Sequence, residues 1–293
     1  MPTASDRSRL ISIVQSRQNA RVRELRAAFA RNGRDVSEGI AVEGEHLIQE
    51  ALRSGLRIRT VFVRAEVSVR EAPERRENSL RVLDRLRLPA SIPIIGLTPP
   101  VFDSAVETES PQGIAALIDP PGFALDEALR PGSSGSPPLV LVAAALQDPG
   151  NLGTIVRSAE AFGATGLLAL PGTVSLWNAK TLRASAGSAF RVPVVQEKSS
   201  AALAALAERN IAILAAVPVA GHPDAIPCSR YDLTRPVAIL IGNEGSGLSQ
   251  DLLDRADACL AIPTPGPVES LNAAVAASIL LYEAARQRSL KAQ

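Results

Sequence analysis

The chain has 293 residues, enough for two domains that each bury a core. Its formal net charge of +1 does not by itself indicate a nucleic-acid partner. The longest apolar runs, such as residues 139–146, are about strand length, far short of the roughly 20 residues that span a bilayer. Met1 to Leu10 is charged and unlike a secretory signal, and two cysteines make no disulfide framework. We therefore expect a cytoplasmic protein with reduced thiols and no membrane partner.

The N-terminal segment concentrates positive charge. Residues 1–34 contain eight arginines against two acidic residues, Asp6 and Glu24. Such an arm could neutralise RNA phosphates or could be a solvated helix face, and charge alone favours neither.

Residues 1–118 have the pattern of a small mixed α/β domain. Apolar spacing predicts helices over 21–30, 45–54 and 78–87, with Val22, Leu25 and Phe29 on one face of the first. Short runs rich in β-branched and apolar residues predict strands at 40–42, 58–63, 93–96 and 113–118. Residues 119–138, rich in Pro, Gly and Ser, are predicted to be a linker that packs no core.

Residues 139–293 alternate apolar strands with helices. The predicted strands are 139–145, 166–170, 192–195, 211–217, 237–241 and 259–262. The predicted helices are 153–162, 178–186, 200–209, 249–256 and 271–288. This alternation indicates a parallel sheet covered on both faces, with ligands bound at the carboxyl ends of its strands.

The first strand of this domain leads into a Pro-Gly turn and a helix. Asn151 is a candidate helix cap, and capping alone is the structural alternative to a role in the site. Arg157 stands among apolar neighbours on the helix, where an arginine can bind a phosphate or carboxylate or can simply face solvent. The residues alone leave both roles open.

Two further segments follow strands of the same domain. Gly242–Leu248 reads GNEGSGL, which is not the G-x-G-x-x-G spacing of dinucleotide sites. Glu244 there would repel a pyrophosphate but would tolerate a cationic sulfonium or a ribose hydroxyl. Ser270, Leu271 and Asn272 precede a long Ala-rich helix, where a capped, buried helix is the plain structural alternative.

Other chemistries lack support in the sequence. His46 and His222 are far apart and lie outside these segments, and His46 is expected to be a packed or surface histidine. Cys228 and Cys259 lack metal-site spacing, so we expect no metal.

In this order, the three segments resemble the signature motifs of the SpoU/TrmH-type RNA 2'-O-ribose methyltransferases of the SPOUT superfamily. The resemblance covers about residues 139–288, including the intervening segment 178–195. Residues 1–118 resemble the family's RNA-binding domain, which is similar to a small ribosomal protein. That similarity rests on three short motifs: Ser16–Val22, Val42–Leu47 and Ser110–Ala115.

The resemblance implies a fold, a cofactor and an assembly. It implies that the parallel sheet carries a deep trefoil knot, that S-adenosylmethionine is the cofactor, and that the chain forms a homodimer through its motif-one and final helices. The implied cofactor-binding residues are Gly242, Ile262 and Leu271, with the turn after Val217 beside them.

The resemblance also implies the reaction. Arg157 would activate or orient a ribose 2'-hydroxyl, while Asn151, Glu244, Ser270 and Asn272 align substrate and cofactor. Ribosomal RNA is the preferred substrate and transfer RNA the alternative. Two other hypotheses are an RNA-binding or ribosome-assembly protein without turnover and, disfavoured by the missing glycine motif, a nucleotide-dependent oxidoreductase.

Overall fold

The computed structural model describes residues 10–31, 33, 35–65, 82–108, 110–133 and 135–291. Contacts divide the chain into two units, one of Met1–Pro121 with Trp177–Phe190 and one of Gly122–Leu176 with Arg191–Gln293. Two of the features predicted from sequence lie partly outside the described residues. These are the basic N-terminal segment, at residues 1–9, 32 and 34, and the predicted helix 78–87, at residues 78–81. Residues 82–86 are helical.

The first unit contains a five-stranded mixed sheet of order β1-β4-β3-β5-β2, in which β5 runs antiparallel to β3 and β2. Its strands are β1 (Leu10–Val14), β2 (Ile40–Glu43), β3 (Ile58–Arg64), β4 (Ile94–Leu97) and β5 (Ile114–Ile118). Its helices up to residue 121 include α1 (Ala20–Ala30), α2 (Glu45–Arg53) and α3 (Pro99–Asp103). The predicted apolar face of α1 is confirmed, since Val22, Leu25 and Phe29 are buried in the core. Strand β1 was not predicted.

The second unit contains a seven-stranded sheet of order β10-β12-β9-β11-β6-β7-β8, with every pairing parallel. The strands are β6 (Leu139–Ala143), β7 (Gly166–Ala169), β8 (Val194–Gln196), β9 (Ala212–Ala216), β10 (Ile226–Pro227), β11 (Val237–Ile241) and β12 (Ala258–Ala261). Its helices include α4 (Leu125–Leu129), α5 (Pro149–Ala161), α7 (Ser199–Glu208), α8 (Gln250–Asp254) and α9 (Ala273–Lys291).

Helices cover the second sheet as the sequence predicts. Val140 and Val142 of β6 pack into a core with Leu203 of α7 and Leu252 of α8. Leu141, which alternates with them, is buried on the opposite face. The expected parallel α/β architecture is confirmed, whereas the trefoil knot stays a prediction.

The linker prediction is wrong for residues 125–129. These residues form α4, whose Ala128 and Leu129 are buried in the core of the second unit. A Cβ on Gly166 would lie 2.5 Å from the Cα of Ala128, so α4 packs directly on β7. The apolar spacing at 125, 128 and 129 is helical, but the Pro and Gly residues around it dominate the composition.

The segment Trp177–Phe190 belongs by its contacts to the first unit, although both flanking segments belong to the second. It contains α6 (Ala179–Ser185), capped by Asn178, and a turn of 3-10 helix over Ser188–Phe190. Leu182 and Phe190 are buried. The domain bounds drawn from sequence, 1–118 and 139–293, stay predictions.

Candidate functional site

A chain of side-chain hydrogen bonds joins the three sequence motifs of the second unit. The Asn272 Nδ2 donates to Asn151 Oδ1 at 3.0 Å. The Asn151 Nδ2 in turn donates to Glu244 Oε1 at 2.9 Å. Three positions that are far apart in sequence therefore form one polar cluster where α5 and α9 begin and where β11 ends.

Asn151 is not the cap of α5, contrary to the structural alternative considered from sequence. Asp148 holds that position, and its side chain accepts a hydrogen bond from the backbone N–H of Asn151 at 2.9 Å. Pro149 and Gly150 follow at the helix start. Because Asp148 caps the helix, the Asn151 amide is available to bridge the other two motifs.

Glu244 holds the glycine loop against the start of α5. Its carboxylate accepts the backbone N–H groups of Gln147 and Asp148 at 3.3 and 3.2 Å, as well as the Asn151 amide. Burial acts to raise the pKa of Glu244, but these hydrogen bonds outweigh it, so the pKa lies below its ordinary value. The carboxylate is therefore ionised at neutral pH.

The loop after β11 is shaped by Asn243, which sequence reasoning passed over. Its Nδ2 donates to the Ala145 carbonyl at 2.8 Å, and its Oδ1 accepts from the N–H groups of Gly245 and Ser246 at 2.9 and 3.0 Å. At Gly242 a Cβ would lie 2.4 Å from the carbonyl carbon of Gly247. Glycine is required at 242 because the loop folds back onto it.

Asn272 has two roles in the structure. Its Oδ1 caps α9 by accepting from the backbone N–H groups of Ala274 and Val275 at 2.9 and 3.2 Å. Its Nδ2 makes the bond to Asn151. The helix-cap alternative for this residue is therefore correct but incomplete.

A cavity of about 330 Å³ opens at the carboxyl ends of β9, β11 and β12. All four residues expected to bind a cofactor line it: Val217, Gly242, Ile262 and Leu271. Glu244 and Ser270 also line it. The structure thus gathers these six positions, while their roles stay predictions.

The lining suits S-adenosylmethionine. Val217, Ile262 and Leu271 offer apolar walls for an adenine ring, and the strand ends expose backbone groups that can bind it. Glu244 and Glu269 are carboxylates of the right sign for a sulfonium or ammonium group. His222 also lines this cavity, although the sequence places it outside the three motifs.

Arg157 lies six residues beyond Asn151 on α5, about 9 Å along the helix axis. Its side chain is exposed, while its apolar neighbours Ile155 and Val156 are buried. No hydrogen bond or ion pair joins it to another described residue. Helical side chains lean toward the N-terminal end, which here carries the polar cluster.

Two further expectations from the sequence concern metal sites and membrane-spanning helices. Over the described part of the chain, no group of three His, Cys, Asp or Glu side chains could hold a metal ion. None of the helices described there is long and apolar enough to cross a membrane.

Comparison with known proteins decides the family. The SpoU rRNA methylase family model matches residues 138–282, and an MRM3-like substrate binding domain matches residues 19–116. A Bacillus subtilis 23S rRNA (guanosine(2553)-2'-O)-methyltransferase, RlmP, is 32% identical over 92% of this chain and 97% of its own. The chain belongs to the SpoU rRNA methylase family.

Other members of the SpoU family agree. A 23S rRNA (uridine(2479)-2'-O)-methyltransferase of Streptomyces viridochromogenes is 30% identical over 92% of this chain and 91% of its own. The solved SpoU methyltransferase AviRb from that organism, in complex with AdoMet, matches with a TM-score of 0.73 at 28% identity, over 93% of this chain and 99% of its own. These matches confirm that the chain is a SpoU-type RNA methyltransferase with S-adenosylmethionine as its cofactor.

Proposed function

We propose that this SpoU-family enzyme methylates a ribose 2'-hydroxyl of large-subunit ribosomal RNA. Two relatives that align over most of the chain are named for that reaction on 23S rRNA. The observation that carries the proposal is the Asn272–Asn151–Glu244 chain, which ends at a cavity of cofactor size. The resemblance assigns reaction roles to these same residues.

The cavity is the proposed binding site for S-adenosylmethionine. When bound, this cofactor supplies an electrophilic methyl group on a positively charged sulfur. Val217, Ile262 and Leu271 would enclose the adenosine part, and the loop that begins at Gly242 would present backbone groups to it. Glu244 remains ionised and favours the sulfonium electrostatically.

Arg157 is proposed to hold the target nucleotide. Arginine keeps its proton in proteins, so its guanidinium suits a phosphate beside the reactive ribose, or the 2'-oxygen itself, better than it suits proton removal. Its exposure and its lack of a partner among the described residues leave its donors available to RNA.

Alignment is the proposed contribution of the remaining site residues. Asn151, Glu244 and Asn272 fix one another, so each presents its free donors and acceptors in one orientation. Ser270 lies on the cavity wall, next to the start of α9. Holding the nucleophile in line with the methyl group could supply much of the rate acceleration.

A homodimer through α5 and α9 is also proposed. An apolar groove of about 280 Å³ lies between these helices, lined in part by Thr154, Phe162 and Tyr282. Val275 and Tyr282 are 47% and 54% exposed, which is unusual for large apolar side chains on a packed helix. A second copy of the chain, as the resemblance implies, would cover this face.

The function is tested by labelled methyl transfer. Purified protein is incubated with tritiated S-adenosylmethionine and either 23S rRNA, 16S rRNA or transfer RNA from cells that lack the enzyme. We expect label in 23S rRNA at a single 2'-O-methylated nucleotide, located by primer extension at low nucleotide concentration. Label only in transfer RNA, or methylation of a base, would contradict the proposed target.

A further inference from the structure

A histidine that the three motifs do not include reaches the cofactor cavity. His222 lies on the segment that joins β9 to β10, and its half-buried side chain lines the cavity. Two turn hydrogen bonds fix its backbone: its N–H donates to the Val219 carbonyl at 3.2 Å, and its carbonyl accepts from Ala225 at 3.1 Å. Gly221, with φ of +82°, permits the turn between them.

The imidazole of His222 is available to a ligand. It makes no hydrogen bond to any residue within the described ranges. Two other polar side chains of the cavity are already engaged, since the Asn243 amide donates to Ala145 and the Ser246 hydroxyl donates to Asn243, whereas Thr264 and Ser270 offer only neutral hydroxyls. A loop held by two turn hydrogen bonds therefore presents an unengaged ring to the cavity.

The charges of the lining give this ring a specific partner. Two carboxylates, Glu244 and Glu269, line the cavity, and no lysine or arginine does so among the described residues. S-adenosylmethionine carries two cationic groups, the sulfonium and the ammonium, and one carboxylate. The cations match the glutamates, whereas the carboxylate would be repelled by them and needs a donor. His222 is the one lining side chain described that can be both a ring N–H donor and a cation.

We propose that His222 donates a hydrogen bond to the methionine carboxylate of S-adenosylmethionine. The sheet order supports this placement, because β9 lies between β12 and β11. The His222 loop therefore emerges between the loops that carry Glu269 and Glu244. His222 acts as a positioning residue: by holding the carboxylate, it fixes the methionine arm from which the methyl group is transferred. This inference rests on the cavity being the cofactor site.

Ligand truncation tests the contact. Dissociation constants are measured by titration calorimetry for S-adenosylmethionine and for decarboxylated S-adenosylmethionine, which lacks only the carboxylate. We expect His222→Ala to weaken binding of the first ligand about tenfold or more, as the loss of a hydrogen bond to a charged group implies, and to leave the second unchanged. His222→Gln, which keeps a neutral donor, should recover part of the loss. Asp224→Ala, in the same loop but not lining the cavity, is the matched control.

Equal weakening of both ligands by His222→Ala, or no weakening of either, would overturn the proposal. Thermal unfolding of each variant checks that the loop change leaves the fold intact. Failure of the wild-type protein to bind S-adenosylmethionine would overturn the cavity assignment together with the His222 contact. Methyl transfer to another RNA would contradict the proposed target. It would not change the ratio of the dissociation constants for the two ligands, so the His222 contact would stand.

Discussion

Arg157 is the residue on which the proposed chemistry depends most. Because it is exposed and has no partner among the described residues, Arg157→Ala should leave the unfolding temperature and the affinity for S-adenosylmethionine nearly unchanged. Methyl transfer under single-turnover conditions should fall about 100-fold or more, since the variant loses charge stabilisation at the reacting group. Arg157→Lys keeps the charge without the planar fork and should recover only part of the rate. A folded Arg157→Ala enzyme with near-normal transfer would refute the role.

Glu244 should make the stability of the site depend on pH. Its pKa is depressed in the folded protein, so its contribution is complete above the ordinary value of 4.5 and is lost as pH falls through the lower folded value. Glu244→Gln should therefore lower the free energy of unfolding at pH 7 by at most about 1 kcal/mol, because an amide replaces an acceptor-only group and solvent screens this exposed carboxylate. The difference between variant and wild type should shrink as the pH drops below 4.5.

Denaturant titrations of both proteins at several pH values measure this effect. Asp251→Asn, an exposed carboxylate of α8, serves as the control for general charge effects. A Glu244→Gln penalty of the same size at all pH values would show that the ionised carboxylate is not what stabilises the loop.

The sequence indicated many of the site residues but not how they interact. Motif order pointed to Asn151, Glu244 and Asn272, and the structure places them in one hydrogen-bonded chain. The sequence alone does not distinguish Asp148 from Asn151 as the cap of α5, since both residue types are good helix caps. His222 carried no local signal, because its position depends on how the β9 loop folds across the strand ends.

At the scale of elements, long periodic segments were predictable and short ones were not. The apolar runs of β6, β9 and β11 stand out because parallel strands are buried on both faces. Helix α4 is five residues within a Pro/Gly-rich stretch, so its one turn of helical spacing does not stand out, and β10 is two residues, too short for any periodicity. Their formation depends on contacts with distant strands.

The segment Trp177–Phe190 offers a test of how the first unit is completed. Gly187 has φ of +91°, and a Cβ there would lie 2.6 Å from the Cβ of the buried Glu50. Gly187→Ala should therefore destabilise the first unit by roughly 1–3 kcal/mol, through strain and displacement of α2. Gly55→Ala is the matched control, because Gly55 also has a positive φ, of +70°, but nothing within 4 Å of the added methyl.

Hydrogen exchange measured by mass spectrometry reads this effect locally. Faster exchange in α2 and β2 in the Gly187 variant, beyond any change in the Gly55 variant, is the expected result. Equal effects of the two substitutions would mean that backbone strain alone acts at 187. Because Trp177–Phe190 belongs by its contacts to the first unit, removing residues 1–118 would take away the part of the chain with which this segment clusters.

For the whole molecule, the parallel sheet follows from local patterning, but the assembly does not. Alternating strands and helices fix the architecture because each apolar strand needs helices on both faces. A knot or a dimer depends on the path of the chain or on a second chain, and neither leaves a periodic trace. The structure nevertheless offers a surface on which the proposed dimer can be tested.

Tyr282→Glu should convert the proposed dimer to a monomer. Tyr282 packs edge-on against Phe162 at 5.8 Å between ring centroids and is 54% exposed in the groove between α5 and α9. The introduced carboxylate would be buried without a partner across the interface. The free-energy cost of burying this unpaired charge exceeds what one apolar contact contributes to association. Leu290→Glu lies on the same helix, is 61% exposed and is outside the groove, so it should leave assembly unchanged. Sedimentation equilibrium gives the mass of each variant, and methyl transfer by the monomer shows whether assembly is needed for activity. A Tyr282→Glu protein that remains dimeric would place the interface on another face.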